Sequence, residues 1–145
     1  MTINWPKAFK RTEWPSNSVD YMSEELFNLA LFPLREQSGV PMWPSKLFDA
    51  HVRYTGTSQH STNGGARKST ATDMHVKTKA ELAKVFTHAM RIPAIGGIGL
   101  YFDTNVPMFH IDTREKFAAW LRVDGEYIYL NADPVRFYKT LGEYL

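Results

Sequence analysis

The sequence predicts an α+β domain in which a small, mostly antiparallel sheet is flanked by helices. Three observations point there. Residues 79–91 carry Leu82, Val85, Phe86 and Ala89 at helical spacing. Stretches 95–102, which opens on glycines, and 109–113 read as strands. Residues 120–130 read as a hairpin turning at Asp124-Gly125.

The remaining elements follow in chain order. Segment 1–20 is rich in Trp, Pro and Ser and is expected to wrap the surface of a single domain spanning 1–145. Ser23 followed by Glu24 and Glu25 reads as a helix start, with the acids complementing the N-terminal dipole. Leu26, Leu29 and Ala30 continue that helix, Leu34 carries it past Pro33, and Gly39 ends it. Pro41 and Pro44 hold 40–45 extended. His51-Val52-Arg53-Tyr54 reads as a short strand, and 134–144 as a closing helix. Between them, the polar stretch 55–72 is too long to be mere connection, which points to function or to disorder.

Composition removes several classes. Apolar residues at 43% and charged residues at 22% suit an ordinary globular core. With no cysteine, disulfides, thiolate nucleophiles and cysteine-held zinc are excluded, so any metal must rest on His and carboxylates. A net charge of +2 without a long Lys/Arg run argues against a nucleic-acid surface. It still permits weak attraction to an anionic polymer such as a bacterial wall. No apolar run approaches the roughly 20 residues of a membrane span. MTINWPKAFKRTEWP lacks a secretory h-region, which predicts cytoplasmic synthesis. Oligomeric state is not set by the sequence.

Three pieces carry chemistry: Ser58-Gln59-His60-Ser61, Ala71-Thr72-Asp73-Met74-His75 and Phe109-His110-Ile111-Asp112. In the last, period-2 geometry puts His110 and Asp112 on one strand face. Two imidazoles and one carboxylate suit catalytic zinc and leave a further position for water.

The order of these pieces resembles the zinc D-Ala-D-Ala carboxypeptidase family, which includes phage endolysins and shares its fold with the Hedgehog signalling domain. The resemblance runs from about Leu26 to Arg114, through Arg53, Ser58-x-His60, Ala71-x-Asp73, Gly97-Ile98-Gly99-Leu100-Tyr101 and His110-x-Asp112. It implies zinc held by His60, Asp73 and His110, a peptidoglycan peptide as substrate, and Arg53 facing the substrate or the transition state. For a lysis enzyme, it also implies release from the cytoplasm by other means.

Two departures leave alternatives open. The separation of His60 from Asp73 is longer than in the family because of an insert around Asn63-Gly64-Gly65-Ala66-Arg67-Lys68. His75, alternating with Asp73, is therefore a rival ligand. Where relatives carry a base just before the last ligand, this chain has Pro107 and Met108. The general-base candidates are Asp112 and Asp103, with Asp112 equally suited to orienting His110 or pairing with Arg53. The rival functions are a non-catalytic zinc-binding or wall-binding module of the same fold, and a phage structural protein using Trp5, Trp14 and Tyr21 as an interaction arm.

Overall fold

Period-2 alternation decides the architecture, because each strand is apolar on one side and carries the polar chemistry on the other. The computed structural model describes residues 2–145. Six strands form one sheet: β1 Trp43–Pro44, β2 Ala71–His75, β3 Gly97–Tyr101, β4 Met108–Asp112, β5 Ala118–Val123 and β6 Glu126–Tyr129. Their order is β1-β2-β4-β3-β5-β6. All neighbours are antiparallel except β3 and β5. The sheet is therefore larger than the small one expected. Trp43–Pro44, expected only to be extended, adds an edge strand. The β5–β6 hairpin joins the same sheet through parallel pairing with β3.

Met74, Ile98, Leu100, Phe109, Ile111, Leu121 and Ile128 form the buried apolar face. Helices cover it. The first begins π-helical over Leu26–Leu31 and continues as α1, Phe32–Ser38. The π turn has a local cause: Pro33 offers no N–H and would crowd the preceding turn of a regular α-helix. Helix α2, Lys79–Ala89, is capped by Thr78 accepting from the Glu81 N–H and buries Leu82, Val85 and Phe86. Helix α3, Pro134–Gly142, is capped by Asp133 and buries Phe137 and Leu141 beside the hairpin. At the hairpin turn, Asp124 and Gly125 both have positive φ, 51° and 77°, as a two-residue connection needs.

Two expectations change. Segment 1–20 does more than wrap the surface, since Phe9 and Trp14 are buried in the core. Trp14 meets Trp5 and Phe27 with ring centroids 5.5 and 5.3 Å apart, and Phe9 stacks on Phe32 at 5.8 Å. Trp14 is thus committed to the fold and unavailable as part of an interaction arm. Tyr21 stays partly exposed beside Tyr54.

Nor is 51–54 a strand. A 3₁₀ turn, Phe48–Ala50, carries the chain into it, and the Val52 N–H returns to the Phe48 carbonyl. Arg53 instead brackets the polar loop: its N–H donates to His60 O and its carbonyl accepts from the Thr62 N–H.

His51 is fully buried beneath this loop. Its Nε2–H donates to Ser45 O at 2.7 Å, so Nδ1 accepts from the Thr72 hydroxyl at 2.8 Å. Burial pushes its pKa from 6.5 down to about 4, against an opposing hydrogen bond to Ser45. A depressed folded-state pKa contributes stability above the unfolded value, and that stability is lost as pH falls towards the folded one. The expected contribution is up to about 3 kcal/mol. In urea unfolding, the stability gap between wild type and His51→Gln should narrow as pH drops from 6.5 towards 4. A gap that stays constant across this range would mean that His51 is not held neutral.

Candidate metal centre and its cleft

Sheet register assembles the site. Asp73 on β2 lies opposite His110 on β4, which lies opposite Gly99 on β3, which lies opposite Trp120 on β5. The neighbouring rung aligns Ala71, Asp112, Gly97 and Ala118. His60 reaches the same place from the polar loop.

His60, Asp73 and His110 are buried, and one potential ligand atom from each lies within 4.8 Å of the others, so the group can hold a metal ion. Asp73 Oδ1 stands 3.4 Å from His60 Nε2 and 3.1 Å from His110 Nδ1. The outer ring nitrogens are fixed from behind. His60 Nδ1 faces the His51 carbonyl at 3.4 Å and can donate to it, which turns Nε2 towards Asp73. His110 Nε2 donates to Asp112 Oδ2 at 2.6 Å. A histidine held by a carboxylate on its far nitrogen is the usual arrangement for an oriented metal ligand.

Charge in this cluster is strongly perturbed. Burial opposes ionisation of Asp73, but hydrogen bonds from His110 and His60 outweigh it and hold the carboxyl well below the usual range. Burial likewise opposes charge on His110, yet its contacts with Asp112 and Asp73 raise its pKa. Asp112, also resisted by burial, is brought down to about 2 by His110 and Arg114.

These contacts decide the role of Asp112. It is fully buried, and its oxygens accept from the Arg114 Nε at 2.9 and 3.1 Å, Nη2 at 2.6 Å and backbone N–H at 3.0 Å. It orients His110, its partner is Arg114 rather than Arg53, and it is not placed as a general base. Asp103 is also held elsewhere. It accepts from Arg122 Nε at 2.9 Å and the Gly125 N–H at 2.7 Å, and does not line the cleft. His75 stands apart from the three-residue group, with Nδ1 3.3 Å from the Pro107 carbonyl and its ring near Trp43.

The insert does not displace His60. Arg67 folds back to donate from Nε to Ser61 O and from Nη2 to Ser58 O, both at 2.8 Å. The Thr70 N–H reaches Gln59 O at 2.9 Å. The extra residues form a closed excursion between two tethered ends.

Above the cluster lies a cleft of about 370 Å³ lined by Arg53, Ser58, Gln59, Tyr101, Trp120 and Tyr127, among others. Arg53 lines it, with its Nε donating to Asp49 O at 3.1 Å. Ser58 Oγ is buried without a hydrogen-bond partner. Among the described residues, Asp73 is the sole carboxylate in the lining.

Sequence reasoning did not pick out Arg114, Trp120 or Tyr101 as members of the site. The available signal was the glycine spacing of β3. A Cβ at Gly97 would sit 2.3 Å from the Asp112 carboxylate, and one at Gly99 2.3 Å from the Trp120 indole. These two glycines give both side chains room over the sheet. Searches against family models, curated proteins and solved structures returned no match for this chain.

Two substitutions test the supporting shell. Asp112→Asn should keep the fold but weaken metal affinity about 10–100-fold. Gly97→Ala should cost about 1–3 kcal/mol of stability through overpacking and weaken metal binding as well, since Asp112 must move. Metal titration with parallel thermal unfolding reads both. Unchanged affinity in both variants would remove Asp112 from the site.

Proposed function

We propose that the protein is a zinc-dependent peptidase acting on peptidoglycan peptides, of the D-Ala-D-Ala carboxypeptidase or endolysin kind, on the fold that family shares with the Hedgehog domain. The observation that carries this reading is the buried His60, Asp73 and His110 group at the floor of an open polar cleft. The donor set fits zinc: two imidazoles and a carboxylate, without the oxygen-rich shell that calcium or magnesium prefers. The contacts of His60 with His51 O and of His110 with Asp112 add the orienting bonds that such ligands need. Held by His60, Asp73 and His110, a zinc ion would supply Lewis acidity for polarising a carbonyl and acidifying water.

The other residues divide the remaining work. Arg53 at the cleft wall suits a peptide carboxylate through charge-assisted hydrogen bonds. Asp112 and Arg114 hold His110 in one orientation. Among the described residues no helix is long and apolar enough to cross a membrane, so action at a wall would not rest on a helical anchor in them.

A second reading is a non-catalytic metal-binding module, such as a wall-binding or phage structural protein. One observation favours it: the cleft has no carboxylate beyond Asp73 to serve as general base. A missing base typically costs about 10²–10⁴ in rate.

The experiment has two stages. Elemental analysis of protein purified without added metal should find one zinc per chain, with His110→Ala losing it. Release of new amino groups from purified walls by the zinc-loaded protein then separates enzyme from module. Zinc without hydrolysis on several wall types supports the module. No zinc, and none taken up on titration, overturns both readings.

A further inference from the structure

The cleft lacks a spare carboxylate, yet one hydroxyl in it is held with unusual care. Tyr101 ends β3 and lines the cleft together with His60, Asp73 and His110. Its oxygen accepts a hydrogen bond from the Trp120 Nε1–H at 3.0 Å. Indole nitrogen only donates, so this contact occupies a lone pair of Tyr101 and leaves its own O–H free to donate elsewhere.

Three independent features fix that arrangement. The Trp120 indole lies over Gly99, where any Cβ would meet it at 2.3 Å, and its ring packs 5.3 Å from His110. The Arg122 guanidinium covers the Tyr101 ring at 4.7 Å, and Asp103 holds Arg122 from the other side. The Arg114 guanidinium lies 5.3 Å from the Trp120 ring centroid while gripping Asp112. A tyrosine serving only as wall would need neither the directed N–H nor the glycine beneath its partner. Burial raises the Tyr101 pKa above the usual tyrosine value, so this hydroxyl keeps its proton at neutral pH.

We propose that the Tyr101 hydroxyl is a catalytic hydrogen-bond donor, oriented by Trp120 towards the oxygen of a substrate carbonyl as negative charge builds on it. This rests on the peptidase reading and adds a residue that the ligand set alone does not name. Tyr101 stabilises charge without transferring its proton, so the step breaks and forms no bond to this side chain. A fixed donor in a cleft of this kind acts more strongly on the tetrahedral, anionic arrangement than on the planar ground state. Asp103, no longer a candidate base, acts at one remove by holding Arg122 under the ring.

The test uses zinc-loaded full-length protein and two probes: a phosphinate analogue of D-alanyl-D-alanine, which mimics the tetrahedral anion, and D-alanyl-D-alanine itself. Binding is read by calorimetry, with zinc content and melting temperature measured alongside. Tyr101→Phe should keep zinc and fold, bind the plain dipeptide as wild type does, and weaken the phosphinate by about 10²-fold. Trp120→Phe, which keeps a ring but removes the orienting N–H, should give a smaller loss in the same direction. Equal phosphinate affinity in wild type and Tyr101→Phe overturns the assignment and leaves the peptidase reading intact. A wild type that binds zinc but neither the phosphinate nor the dipeptide overturns the peptidase reading, and this assignment with it.

Discussion

The register between β2, β4, β3 and β5 is the constraint on which the rest depends. A single rung carries Asp73, His110, Gly99 and Trp120, and the apolar residues between these rungs point to the opposite side. Sliding one strand by one position would exchange its two faces. On β4 that would send His110 and Asp112 into the helix-covered core and bring Phe109 and Ile111 to the cleft. Burial of Phe109, Ile111, Leu100 and Met74 under the helices therefore specifies the candidate metal centre as firmly as any contact within it. Stability and site share one pattern, read from opposite sides of the sheet.

On the cleft side, two Asp–Arg pairs act as braces. Asp112 grips Arg114, which lies over Trp120, and Asp103 grips Arg122, which lies over Tyr101. Their burial differs, and so does their physics. Asp112 is fully enclosed, and a lone carboxylate there would be costly to ionise; Arg114, His110 and a backbone N–H offset that cost. Asp103 sits at the hairpin end, where its bonds to Arg122 and the Gly125 N–H order the turn more than they stabilise the chain. Both pairs point their guanidinium groups at aromatic rings, so the electrostatics of the sheet surface are spent on holding ring positions.

Much of this was legible in the chain itself. Helix α2, the β5–β6 hairpin and strand β4 follow from spacing and turn chemistry, and the polar loop stands out by its length. The three residues of the candidate metal centre were legible as types in an order, and the structure brings those three together. What could not be read were relations between distant segments. That Trp14 inserts against Phe27, that β5 lies parallel to β3, and that Arg114 rather than Arg53 meets Asp112 depend on tertiary packing that local pattern does not encode. The stretch 51–54 misled for a related reason. Its β-prone residues bracket a loop, where the backbone of Arg53 pairs with His60 and Thr62 instead of with a sheet.

That bracket explains how a candidate ligand from a loop can match two from strands. Asp73 and His110 are fixed by ladder hydrogen bonds on both sides, whereas His60 has no strand of its own. The chain compensates with backbone ties. Arg53 holds the residues on either side of Ser61, Gln59 is tied to Thr70 just before β2, and Arg67 clamps the carbonyls of Ser58 and Ser61. The insert between His60 and Asp73 is therefore closed at its base, and within it Gly64 and Gly65 turn with positive φ. Closing a loop at its neck makes its length nearly irrelevant to the positions of its ends, because the entropy cost of added residues grows only slowly. The longer spacing that left His75 open as a rival ligand is thus compatible with His60. His75, paired with the Pro107 carbonyl near the sheet edge, is left beside Trp43 and outside the three-residue group.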